Sequence, residues 1–251
     1  MSEAPLTDTP PADAPLTENT PVDATPTDET QVPVVKKQSD LGVRTASGLV
    51  MIALATAALW FGSWVFAGFV LVAAAAMLWE WHAITMKMPL SDGGKWGWLA
   101  GGLVYIGLAV VALMLVRDVL GFKGALWLMA TVWATDIGAY FAGRTIGGPK
   151  IAPAISPSKT WAGLIGGMVA AGLVSWGIGR WIGSDAGMFL LGAPMAVLAQ
   201  AGDFFESWLK RRAGVKDSSH LIPGHGGVLD RLDGLMPVAI LVGAILWFGG
   251  N

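Results

Sequence analysis

Apolar stretches close to membrane-spanning length recur along the chain from Thr45 onward, separated by short polar segments. A helix needs about 17–25 residues to cross a hydrocarbon core. Seven stretches approach or meet that length: 46–61, 64–84, 96–116, 122–142, 162–182, 187–206 and 234–249. Only a short link near Gly62 separates the first two, which predicts a tight hairpin there. None alternates apolar and polar residues as a membrane strand does. The pattern therefore predicts an all-α integral membrane protein of about seven transmembrane helices with cytoplasmic polar loops.

Composition strengthens this reading. Hydrophobic residues make up 54% of the 251 and charged ones 14%, too apolar for a soluble domain of this size. The 34 Gly and 13 Trp suit close helix packing and interfacial anchoring. With no cysteine, disulfides, thiolate zinc sites and cysteine nucleophiles are excluded. Residues 1–40 read as an acidic Pro/Thr-rich tail, expected to be disordered because it has little apolar surface to bury. The tail lacks the basic and apolar regions of a secretory signal. Residues 41–251 read as one polytopic membrane domain.

Charge sets the expected orientation. The first 35 residues hold seven of the 18 acids and no Lys or Arg, so the remainder is mildly basic. When seven spans alternate from a cytoplasmic N terminus, only Arg117, Lys123 and Arg180 fall outside; the other 13 of the 16 basic residues fall inside.

The chemistry gathers at that inner face. Four acids lie within spans, where a charge costs several kcal/mol and usually lines a polar cavity: Glu80, Asp136, Asp203 and Glu206. Glu80, between Trp79 and Trp81, reads equally as an interfacial acid or a functional one. Asp136 and Arg144 stand eight residues apart, about two turns along one face, so a buried ion pair and an anion site are both open. Asp203 and Glu206, at i and i+3, share a face directly before Lys210, Arg211 and Arg212. That basic cluster reads as a topological anchor, a lipid-headgroup contact or part of a site. Gly163 and Gly167 form a small-xxx-small pair suited to close packing.

Two polar loops join these acids. The run SWLKRRAGVKDSSHLIPGHGGVLDRLD, Ser207 to Asp233, sets Lys210, Arg211, Lys216 and Arg231 among Asp217, Asp230 and Asp233, with glycines around His225. Cations and backbone amides suit phosphate oxygens, and carboxylates suit a hard divalent cation such as Mg2+. His225 reads as a loop hydrogen-bonder or a base. The second loop, GRTIGGPKIAPAISPSKTW, offers Ser156, Ser158 and Lys159 as a turn before a helix or as a phosphate holder. No dinucleotide-binding fingerprint, P-loop or zinc-protease motif occurs.

The Ser207–Asp233 run closely resembles the signature of the phosphatidate cytidylyltransferases, the CDP-diacylglycerol synthases: S-x-apolar-K-R, K-D, P-x-H-G-G and apolar-x-D-R-x-D are all present. QAGDFFES, TDIGAYFAGR and SPSKTW are similar to further motifs of that family. Ser158 and Ala162 stand where the family usually has Lys and Glu. The resemblance implies transfer of CMP from CTP to phosphatidic acid at the inner face of a bacterial cytoplasmic membrane, with Mg2+ and a monovalent cation such as K+. It implies Asp203 and Asp230 as metal ligands. Catalytic roles go to Lys210, Arg211, Lys216, Asp217, Arg231 and Asp233, and substrate contacts to Asp136, Arg144, Ser156, Lys159, Pro223, His225, Gly226 and Gly227. The implied partners are CTP, phosphatidic acid, the bilayer and a second copy in a homodimer, with no nucleic acid. The alternatives are a related transferase acting on a polyprenol or ether lipid and a small ion-coupled transporter. A transporter predicts acids spread across the bilayer.

Overall fold

A computed structural model describes residues 40–183 and 187–249. The expected tail lies outside the described residues, except for Asp40. The helical expectation holds for the membrane part. Helices α1 (Asp40–Phe61) and α2 (Ser63–Lys87) meet at Gly62, whose φ of 62° is a left-handed turn that a Cβ disfavours. Arg117 caps this corner, its Nε donating to the Leu59 carbonyl at 3.2 Å.

Helix α3 (Asp92–Thr145) carries both the third and fourth predicted stretches in 54 residues. It starts where the Ser91 hydroxyl accepts from the Gly94 N–H at 3.3 Å. Gly121, at φ 67° and ψ −166°, is non-helical and divides it into arms of residues 92–120 and 122–145. The break falls between the two hydropathy peaks.

The loop after α3 departs from the purely helical expectation. Strands β1 (Lys150–Ala152) and β2 (Ser156–Thr160) form a short antiparallel hairpin, with Lys150 opposite Thr160 and Ala152 opposite Ser156. Helix α4 (Trp161–Ile182) follows at once, its first turn capped by the Thr160 hydroxyl, which accepts from the Gly163 N–H at 3.0 Å. Helix α5 (Met188–Arg212), the four-residue α6 (Leu229–Leu232) and α7 (Leu235–Gly249) complete the fold. Among the described residues four helices, α2 to α5, are long and apolar enough to cross a membrane; α1 and α7 contribute shorter apolar stretches.

Large apolar side chains face outward, among them Leu49, Trp64, Val72, Val111, Leu190 and Trp247, each more than half exposed, as lipid-facing helices require. Inside, small residues bring α3 and α4 together. A Cβ on Gly163 would lie 3.0 Å from the Ala139 carbonyl oxygen, and one on Gly167 would lie 2.9 Å from that of Thr135. Nearby polar groups satisfy one another: Trp127 Nε1 donates to Ser175 Oγ at 3.1 Å, and Thr131 Oγ1 stands 3.0 Å from the same hydroxyl. Gly167→Leu is expected to destabilise the protein by about 1–3 kcal/mol through overpacking, read as a lowered melting midpoint in detergent. Gly177→Leu, with nothing within 4 Å of a Cβ there, should leave the midpoint near wild type.

Candidate active site

The basic end of α5 builds the site. Asp203, Ser207 and Lys210 recur at helical spacing on one face of α5. Asp203 accepts at 3.3 Å from the Ser207 hydroxyl and pairs with Lys159, which β2 delivers from the hairpin. The Lys159 ammonium also donates to Gln200 Oε1 at 2.9 Å, tying the hairpin to α5.

Lys210 is the centre of a second cluster. Its ammonium lies 2.8 Å from Glu206 Oε2 and 2.5 Å from Asp230 Oδ1, with all three side chains at most 11% exposed. The other Asp230 oxygen accepts from the Ser218 and Gly227 N–H groups and the Ser218 hydroxyl, at 2.8–2.9 Å. Burial opposes ionisation of Asp230. The bonds from Lys210, Gly227 and Ser218 outweigh it and hold the carboxyl below its ordinary range. Asp233 behaves oppositely: burial first, then the charge of Asp203, push its carboxyl up to about 7, against the Gly234 N–H bond and a side-chain hydrogen bond with Glu206.

Lys159, Asp203, Lys210, Asp230 and Asp233 face one cavity of about 570 Å³, walled by α3, β2, α4, α5 and the loop between α5 and α7. Of the predicted site residues, Asp136, Arg144, Lys159, Asp203, Lys210, Asp217, Asp230, Arg231 and Asp233 line it. Five aspartates, two of them the span acids Asp136 and Asp203, thus gather at one cavity. Ser158, from the turn expected to hold a phosphate, also lines it, as do Gln200 and Tyr140, for which the sequence pattern carries no signal. A smaller, apolar pocket of about 420 Å³ sits on the other face of α5, among Trp81, Trp98, Tyr105 and Phe205, and holds none of this chemistry.

Other predicted residues stand apart from the cavity wall. Ser156 pairs with Ala152 at the hairpin end, and Ser158 takes the wall position. Arg211 donates to the Val215 carbonyl at 3.4 Å, and Lys216 is exposed in the loop. His225 and Pro223 meet α1: the Ser47 hydroxyl lies 2.8 Å from His225 Nδ1 and 2.9 Å from the Pro223 carbonyl. Gly226 and Gly227 make room for acids. A Cβ on Gly226, at φ 81°, would come within 2.7 Å of Asp230 Oδ2, and one on Gly227 within 2.7 Å of Glu80 Cδ. Asp136 and Arg144 form no ion pair; Arg144 donates to the Tyr140 hydroxyl at 2.9 Å.

Glu80 does not reach an interface: its side chain is fully enclosed and bonded to the signature loop. Helical spacing carries no signal for that contact, because its partners lie some 140 residues away.

The donor set agrees in kind with a hard divalent ion. Asp203 and Asp230 face one cavity, and each already holds a lysine ammonium, so both carboxylates are placed to receive positive charge. Among the described residues no three or more His, Asp or Glu side chains converge as a metal cage. One or two carboxylates completed by substrate phosphates is the usual arrangement for Mg2+.

Comparison with known proteins agrees with this geometry. The model of the cytidylyltransferase family matches residues 93–248. A phosphatidate cytidylyltransferase of Brucella suis is 48% identical over 155 residues, 58% of this chain and 56% of the relative. One from Pseudomonas aeruginosa is 39% identical over 163 residues, 63% and 60% of the two chains. The chain thus spans little more than half the length of these relatives. A third, from Rickettsia bellii, is 35% identical over 224 residues, 85% of this chain and 92% of the relative. With the family model covering more than half of the chain and the signature loop walling its polar cavity, the chain belongs to the cytidylyltransferase family.

Proposed function

We propose that the protein transfers CMP from CTP to phosphatidic acid, forming CDP-diacylglycerol and pyrophosphate. The observation that carries this reading is the cavity itself: Arg144, Lys159, Lys210 and Arg231 stand among five aspartates at the basic end of a membrane helix. Relatives named phosphatidate cytidylyltransferase support the choice of substrates.

The chemistry asks little covalent work of the protein. A phosphate oxygen of phosphatidic acid attacks the α-phosphorus of CTP. The bond from that phosphorus to the bridging oxygen breaks, and pyrophosphate leaves with the electron pair. The nucleophile is already an anion, so no base is required; what must be overcome is the repulsion between two anions and the charge gathering on the leaving group. Lys159, Arg144 and Arg231 meet that charge from the cavity wall, and Lys210 from its buried end. Asp203 and Asp230 would hold Mg2+, which when bound offsets negative charge on the triphosphate. Asp233 supports the same wall, and Asp136 lines its membrane-ward side.

The same reading takes α1, α2, both arms of α3, α4, α5 and α7 as seven spans. The N terminus and the cavity then lie at the cytoplasmic face of the inner membrane, where soluble CTP and a bilayer lipid can meet. Length supports it: the 54 residues of α3 would extend about 80 Å at about 1.5 Å per residue, well over twice a core of about 30 Å.

Purified protein in detergent, given labelled phosphatidic acid, CTP and Mg2+, is expected to form CDP-diacylglycerol, and to consume no CTP when a polyprenol replaces the phosphatidic acid. Lys87→Ala, exposed at the end of α2, should stay within about twofold of wild type, as surface changes do. Absence of CTP-dependent conversion of phosphatidic acid would remove the reading.

A further inference from the structure

Glu80 is fully buried on α2, yet the ion pairs among the described residues join Lys159 and Lys210 to other acids. Its charge is met by the signature loop instead. The Val228 and Leu229 N–H groups donate at 2.9 and 2.6 Å, and the Ser219 hydroxyl at 2.5 Å. The Ser218 hydroxyl lies 3.3 Å from Glu80 Oε2 and 2.8 Å from Asp230 Oδ2, so a single hydroxyl separates the two carboxylates. Gly227 leaves the space the Glu80 carboxylate enters and gives its own N–H to Asp230.

We propose that Glu80 is a positioning residue, an acceptor that α2 supplies to fix the backbone of residues 227–229 and so to set the Asp230 carboxylate in the cavity. The assignment reaches beyond the family match, which begins at residue 93. Glu80 suits the task because it is rigidly held. Its neighbour Trp81 is buried, packs against Trp98, Tyr105 and Phe205, and donates to the Trp98 carbonyl at 2.8 Å. It suits the task chemically as well: Val228, Leu229 and Ser219 all present donors to it, and a carboxylate is an acceptor at both oxygens. Glutamine in its place turns an NH2 group toward an N–H or O–H and must release part of the loop.

Hydrogen exchange of the purified protein in detergent tests this without substrate. In Glu80→Gln, peptides covering residues 226–230 are expected to exchange about tenfold faster or more, the loss of one buried bond being worth about that factor. Peptides from α4 should be unchanged and the melting midpoint should stay close to wild type. The activity arm rests on the proposed reaction: kcat should fall about 100-fold, as misplacement of a reacting group does, with KM for CTP little changed. Ser219→Ala removes one donor while leaving the carboxylate its backbone partners, and should speed exchange at residues 226–230 by a smaller factor. Unchanged exchange there in Glu80→Gln, or acceleration spread evenly over the protein, overturns the proposal. If Glu80→Gln does not fold, Ser219→Ala decides it, and unchanged local exchange overturns it. If the wild type makes no CDP-diacylglycerol, the reaction falls and the exchange arm alone decides the role of Glu80.

Discussion

Asp230→Asn should lower formation of CDP-diacylglycerol by about 10³-fold, the upper range for losing one preorganised electrostatic group at a reacting phosphate. The size follows from how the carboxylate is held. One oxygen takes the Lys210 ammonium and the other takes three N–H or O–H donors, so no face of the group tolerates a donor. An asparagine must aim its NH2 either at the ammonium or at the Ser218 and Gly227 donors. It loses a charge and gains a repulsion in either orientation. Asp203→Asn, elsewhere on the cavity wall, is expected to be similarly damaging to turnover but gentler on folding, because Asp203 is more open, at 26% exposed, and its partners among the described residues are Lys159 and Ser207. Turnover by purified variants, set beside their melting midpoints, separates the two effects. Near-normal turnover in either variant would remove that residue from the chemistry.

Much of this arrangement was legible in the chain, and the parts that were not share a physical cause. Hydropathy located the helices because the membrane imposes one length scale on all of them. It also separated residues 96–116 from 122–142, and the structure breaks α3 between them, at Gly121. The i, i+3 spacing of Asp203 and Glu206 placed both acids near the basic end of α5, and the cavity opens there. Contacts between distant segments left no comparable trace. The tie from Glu80 to the signature loop, the Lys159 bond to Gln200 and the meeting of Ser47 with His225 join residues 41 to 178 positions apart. The glycines of PGHGG show the limit well. Their number points to close backbone approach, but composition cannot say what approaches: at Gly226 it is the Asp230 carboxylate, and at Gly227 the Ser218 hydroxyl and the Glu80 carboxylate. Similarly, Arg144 and Asp136 have the spacing of a pair, and the Tyr140 hydroxyl takes the arginine instead.

Lys210 has a structural task besides any contact with phosphate, and Lys210→Met is expected to expose it. The ammonium is the cation bonded to both Glu206 and Asp230, whose side chains are only 4% and 7% exposed. Removing one partner from a buried ionic cluster typically costs about 3–5 kcal/mol, because the remaining charges are left uncompensated. Lys210→Met should therefore depress the melting midpoint strongly as well as abolish turnover, whereas a lysine that served only phosphates would cost activity alone. Adding Glu206→Gln removes one of the stranded charges and should recover about 1–2 kcal/mol of the loss, a coupling of the size expected for residues in direct contact. Turnover should not return with it, since Asp230 still lacks the cation that holds its Oδ1. Stability recovered without activity would show that the triad of Glu206, Lys210 and Asp230 does two separable things: it keeps the basic end of α5 folded, and through Lys210 and Asp230 it presents a charged edge to the cavity. Equal melting midpoints for wild type and Lys210→Met would instead reduce Lys210 to a cavity cation.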